Sequence, residues 1–85
     1  MHFSEFVVKS RLGIHTGPAA FLARLASTFD SDINFKVGSR NVNGKSAIQI
    51  LSLAVSRGQK LTISADGSDS KVAISKIVEF LSANY

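Results

Sequence analysis

The chain contains a single proline, Pro18, and its position fixes where the first helix begins. A proline ring holds φ near the helical value, and the N–H it lacks would have no intrahelical acceptor in a first turn. Proline is therefore suited to a helix start and excluded from a helix interior. Behind it, Leu22, Leu25, Ala26 and Phe29 share one side of a wheel drawn at about 100° per residue, with Ala20, Arg24, Ser27 and Thr28 on the other. The spacing predicts an amphipathic helix of about three turns, ending near Phe29. Gly13-Ile14-His15-Thr16-Gly17 stands directly before it. His15 is thus expected at the positive end of a helix dipole, among backbone N–H groups that have no partner. Such a place holds anions, phosphate above all. An imidazole there can receive a phosphoryl group and have its new charge stabilised.

Other chemistries find less support. The sequence has no cysteine, and its only other histidine, His2, is expected in the N-terminal tail. With no acidic cluster beside His15, neither a metal site nor a bound cofactor is expected. No Ser-His-Asp order stands out, although such triads are recognised by geometry and not by order.

Length and composition bound the rest. Eighty-five residues, 45% of them hydrophobic and six of them phenylalanine, suit one folded domain over residues 1–85 with a modest core. Absence of cysteine removes a disulfide framework and fits a reducing compartment. No N-terminal apolar run reaches the length of a signal peptide or a membrane span, so a cytoplasmic chain without membrane insertion is expected. The net charge of +4 suits an acidic partner. The lysines and arginines are scattered, however, and not gathered into a stripe with stacking aromatics, so no nucleic acid is expected.

Along the chain, Phe3 to Lys9 reads as a first strand, and Arg11 to Ile14 as the loop that delivers His15. Asp30-Ser31-Asp32 breaks the first helix. Ile33, Phe35 and Val37 alternate with Asn34 and Lys36 as a half-buried strand. Gly38-Ser39 predicts a two-residue hairpin turn with glycine first, returning through a short edge strand, Arg40-Asn41-Val42. Ser46-Ala47-Ile48-Gln49 matches a capping box, in which the serine oxygen bonds the Gln49 N–H and the Gln49 side chain bonds back. The helix it opens is expected to run to about Val55, with Gly58 near its end. Ile50, Leu53 and Ala54 make its core face. Ala47, Ile48, Leu51 and Val55 form a second apolar face, which is expected to be a docking patch. Leu61, Ile63 and Ala65 alternate in a further strand. Asp69 or Ser70 then caps a last helix whose apolar face is Ala73, Ile74, Ile77, Val78, Phe80 and Leu81. The order β-α-β-β-α-β-α predicts an α+β, two-layer sandwich with helices on one face of a small antiparallel sheet.

Three segments carry a resemblance. Gly13-Ile14-His15-Thr16-Gly17-Pro18-Ala19-Ala20 resembles the active-site motif of HPr, the histidine phosphocarrier family of the bacterial sugar phosphotransferase system. Asn43-Gly44-Lys45-Ser46-Ala47-Ile48 resembles that family's regulatory-serine region, and Ile63-Ser64-Ala65-Asp66-Gly67 its fourth strand and following turn. The likeness spans essentially the whole chain. It implies an open-faced β-sandwich with a four-stranded antiparallel sheet in order 1-4-2-3 and three helices on one face. It also implies a monomeric carrier protein and not an enzyme. His15 would accept phosphate on a ring nitrogen from phosphorylated enzyme I, which draws it from phosphoenolpyruvate, and pass it to IIA components of sugar permeases. Ser46 matches the serine that a dedicated ATP-dependent kinase, HPr kinase/phosphorylase, modifies in some bacteria. Ala20, Ala47, Ile48, Gln49 and Leu51 match the surface on which partners dock.

One position departs from the family pattern. Arginine usually stands two residues after the histidine; here that residue is Gly17, and a bidentate phosphate ligand is missing. The backbone of Thr16 and Gly17, with Arg24 further along the helix, is expected to stabilise the phosphate in its place. The alternative is an HPr-like regulatory protein that acts mainly through the state of Ser46, with weak or no transfer at His15.

Overall fold

The computed structural model describes residues 1–85. Its elements are β1 (His2–Val7), α1 (Thr16–Ser27), β2 (Asp32–Val37), β3 (Arg40–Asn43), α2 (Ala47–Ser52), β4 (Lys60–Asp66) and α3 (Ser70–Asn84). The strands form one antiparallel sheet in the order β1-β4-β2-β3. Register follows the alternation in the sequence. Ile33 pairs with Ala65 and Phe35 with Ile63, all four buried under the helices. Asn34 pairs with Ser64 and Lys36 with Thr62 on the open face. A period of two thus separates a wet face from a dry one.

The three helices cover the inner face, around a single cluster of 17 buried residues. On α1 the buried positions are Pro18, Ala19, Leu22, Ala23 and Ala26. Ala19 and Ala23, small enough to let another helix approach, extend the stripe beyond Leu22 and Ala26. Phe29 lies past the helix end and still packs half-buried against the core. The hairpin between β2 and β3 has the expected form: Gly38 sits at φ +60° and Ser39 does not share the left-handed region.

Several boundaries differ from the sequence expectation, and α2 differs most. It is six residues long and ends at the Leu53 cap, not at Val55. Ala54 adopts φ +51° and turns the chain back. Val55 is consequently buried and no longer part of any second face, whereas Ala54, expected in the core, is exposed. A left-handed alanine costs about 1–2 kcal/mol. Burial of Val55 and the bond its carbonyl accepts from the Ile14 N–H (3.0 Å) offset that cost. Gly58, in the loop beyond, does not end the helix.

The capping box is half made. Ser46 Oγ accepts from the Gln49 N–H at 3.3 Å, but Gln49 Oε1 accepts from the Asn43 N–H at 2.9 Å, because the Ser46 N–H is already spent on the Asn43 carbonyl. β1 stops at Val7, not Lys9, since Val8 turns inward and its N–H goes to the Gln59 carbonyl. Asp69 occupies the cap of α3 without capping it by side chain. Its carboxylate instead accepts from the Asp30 N–H (2.8 Å), the Ser31 N–H (2.9 Å) and the Ser31 hydroxyl. That clamp ties the α1–β2 turn to the start of α3.

Candidate functional site

His15 is the N-cap of α1, with extended backbone (φ −101°, ψ −164°) and no side-chain capping bond. Its carbonyl accepts the first helical bond, from the Ala19 N–H at 2.9 Å, and the residue is exposed. The next two N–H groups, of Thr16 and Gly17, find no acceptor among the backbone bonds outside regular elements, and Pro18 has no N–H. A free imidazole therefore stands beside two free donors at the positive end of a 12-residue helix. This arrangement can hold a phosphoryl group on the ring and stabilise its oxygens from the backbone.

The loop that presents His15 is held by distant parts of the chain. Ile14 N–H donates to Val55, the Lys9 and Ser10 N–H groups both donate to the Tyr85 carbonyl (2.7 and 2.9 Å), and Gly58 N–H donates to Val8 (2.7 Å). Gly13 lies at φ +64° with no room for a Cβ, which would come 2.1 Å from the Val55 carbonyl oxygen. Here glycine is required twice over, by conformation and by close approach.

The other expected residues lie on α1 and on α2 with its cap. Arg24 lies eight residues beyond Thr16, about 12 Å along the helix axis, and lines a groove with Ala20, Ala23, Ser27, Lys45 and Ala47. The packing of α1 on α2 therefore brings Ala20 and Ala47 together. On α2, Ile48 is 80% exposed, Gln49 is exposed, and Ala47 and Leu51 are half-buried. Ser46 is half-buried at the start of the helix. Two features were missed in the sequence. Leu12, in the loop just before His15, is 74% exposed; an apolar residue between Arg11 and Gly13, in a segment that cannot be a strand, was the available signal. Lys45 Nζ is tied to the Phe29 carbonyl at 2.8 Å, a contact that no local pattern announces. No group of three or more His, Cys, Asp or Glu side chains gathers to hold a metal ion.

A family model described as the PTS HPr component phosphorylation site matches residues 4–83. Among solved structures, HPr-C-His from Thermoanaerobacter tengcongensis is 35% identical with a TM-score of 0.93, covering 98% of this chain and 93% of that one. The phosphocarrier protein HPr from Bacillus anthracis is 30% identical with a TM-score of 0.88, covering 94% of this chain and 95% of that one. Crh, the catabolite repression protein of Bacillus subtilis, solved as a swapped dimer, is 31% identical with a TM-score of 0.78, covering 94% and 92%.

Proposed function

The chain belongs to the HPr family of the phosphotransferase system, and from that premise we propose that it carries phosphate on His15. The phosphoryl group would come from phosphorylated enzyme I and go to IIA components of sugar permeases. In the forward step the lone pair of a neutral ring nitrogen attacks phosphorus. The bond from phosphorus to the donor breaks, and its electron pair stays with the donor. The proton on the other ring nitrogen is kept. Catalysis of such a transfer is chiefly positioning and charge stabilisation, and the observation that supports it here is the pair of free N–H groups of Thr16 and Gly17 beside an exposed His15. Ala20, Ala47, Ile48 and Leu51 offer the partner a mostly apolar surface. No helix is long and apolar enough to cross a membrane.

A second reading is favoured by one observation, the glycine at position 17. Without a guanidinium beside the imidazole, the chain would act as a regulatory partner through Ser46, and His15 would turn over slowly. The experiment is to mix the chain with phosphoenolpyruvate and enzyme I and measure acid-labile phosphate. Stoichiometric labelling that His15→Ala abolishes supports the carrier. Undiminished labelling of that variant removes His15 as acceptor, and no labelling of the wild type moves the weight to the regulatory reading.

A further inference from the structure

The groove between α1 and α2 has a volume of about 480 Å³ and is lined by Ala20, Ala23, Arg24, Ser27, Lys45 and Ala47. Its walls are alanine, and its only charged members are two cations. Neither is neutralised within the molecule, whose ion pairs are Met1 with Asp66 and Lys60 with Glu5. Lys45 donates one hydrogen bond, to the Phe29 carbonyl at 2.8 Å, and that anchor leaves two of its three N–H groups free. The Arg24 side chain makes no hydrogen bond, so its whole planar fork of donors is available. Ser27 donates its proton to the Ala23 carbonyl at 2.7 Å and keeps its oxygen as an acceptor. These are unused donors and unpaired charges around a concave, small-walled space.

We propose that this groove binds a phosphate monoester of a small polyol. A monoester carries close to two negative charges at neutral pH, matching the two cations. The guanidinium fork fits two phosphate oxygens at once, and an ammonium serves the third as a point charge. The alanine walls accept a carbon skeleton, and Ser27 Oγ accepts a hydroxyl. The volume lies toward the small end of ligand sites. Ala20 and Ala47 belong both to this groove and to the proposed docking surface, so an occupant would be felt by a docking partner.

The site does not depend on transfer at His15, and its test uses the unphosphorylated chain alone, so failure here leaves the carrier reading untouched. The probe is ribose 5-phosphate, titrated into 15N-labelled protein at low salt, with ribose and inorganic phosphate in parallel. Saturable amide shifts are expected at Ala20, Ala23, Ser27 and Ala47, with none from ribose and weaker binding of inorganic phosphate. Arg24→Gln is expected to weaken binding about tenfold, as is Lys45→Gln. Arg57→Gln, in the loop after α2, is expected to change nothing. Because Lys45 also braces Phe29, Arg24→Gln decides the matter if the lysine variant folds poorly. Binding unaffected by Arg24→Gln, or shifts centred on Thr16 and Gly17, would overturn the site. Equal affinity for inorganic phosphate would overturn the monoester assignment.

Discussion

A Cβ added at Gly17 would touch one atom beyond its own neighbours, His15 Cε1, at 3.9 Å. That is ordinary contact distance, and Gly17 is exposed, so arginine fits the site without strain. Gly17→Arg is therefore expected to keep the wild-type melting temperature and to speed phosphoryl exchange with enzyme I. A charge-assisted pair is worth about 1.5–3 kcal/mol, but this one is exposed to solvent and acts on ground and transition states alike. The gain expected in single-turnover measurements is thus about tenfold at most. An unchanged rate would mean that the backbone donors of Thr16 and Gly17 already suffice. Ala54 is the opposite case, a side chain where none is wanted. At φ +51° it carries strain of about 1–2 kcal/mol, partly balanced by the chain entropy a glycine would lose. Ala54→Gly is expected to stabilise by about 0.5–1 kcal/mol and raise the melting temperature by a few degrees. A lower melting temperature would show that the turn is relaxed as it stands.

Among the elements, α2 shows what burial adds to a wheel. Ile48 and Leu51 share the face read from the sequence, yet Ile48 is 80% exposed while Leu51 is half-buried against the core. Ile48→Asp is expected to weaken binding to enzyme I with the melting temperature almost unmoved. Leu51→Asp is expected to lower both. Calorimetry on the two variants separates these outcomes, and a large loss of stability in Ile48→Asp would mean that the face is covered. The clamp at the start of α3 gives a pH dependence. The Ser31 hydroxyl first, and then the Asp30 N–H, hold the Asp69 carboxyl below the ordinary carboxylate range. A depressed folded value means that the stabilisation is complete above the unfolded pKa and is lost as pH falls through the folded one. The urea midpoint is accordingly expected to drop below about pH 4, and Asp69→Asn to be less stable at neutral pH with a flatter acid limb. Parallel curves for the two proteins would remove Asp69 as the source. Periodicity, turn signals and the capping box together located these elements. The ends of α2 and β1 were misplaced, where a contact far away in sequence stops the element: Val55 with Ile14 in one case, Val8 with Gln59 in the other. Of the two cap candidates, Asp69 does stand at the cap of α3, but its carboxylate serves a turn 38 residues earlier and makes no capping bond.

At the scale of the whole molecule, His15 is held in place by a convergence of loops. The β1–α1 loop, the α2–β4 loop and the last residue meet at one end, bonded through Ile14 to Val55, Gly58 to Val8, and Lys9 and Ser10 to Tyr85. The sequence revealed His15 and its helix but not this support, because hydrogen bonds between loops leave no period behind. Glycine marks the closest point, and a pair of substitutions isolates its role. Gly13 and Gly38 share nearly the same left-handed backbone, φ +64° and +60°, so alanine costs each about 1–2 kcal/mol from conformation alone. Around Gly38 nothing lies within 4 Å of an added Cβ, whereas at Gly13 the Val55 carbonyl oxygen lies at 2.1 Å and Ser56 Cα at 3.1 Å. Both obstacles are backbone, so one loop must move. Gly38→Ala is expected to cost about 1 kcal/mol and to leave transfer unchanged. Gly13→Ala is expected to cost about 3 kcal/mol or more, a large part of the roughly 4–13 kcal/mol that an 85-residue fold commands. Its Ile14 amide, freed from Val55, is expected to exchange with solvent faster than the sheet amides do. Transfer through His15 is expected to fall by about a hundredfold, since a displacement of about 1 Å at a reacting group has that effect. Equal melting temperatures for the two variants would show that the loops are free to part, and that His15 is positioned by its helix alone.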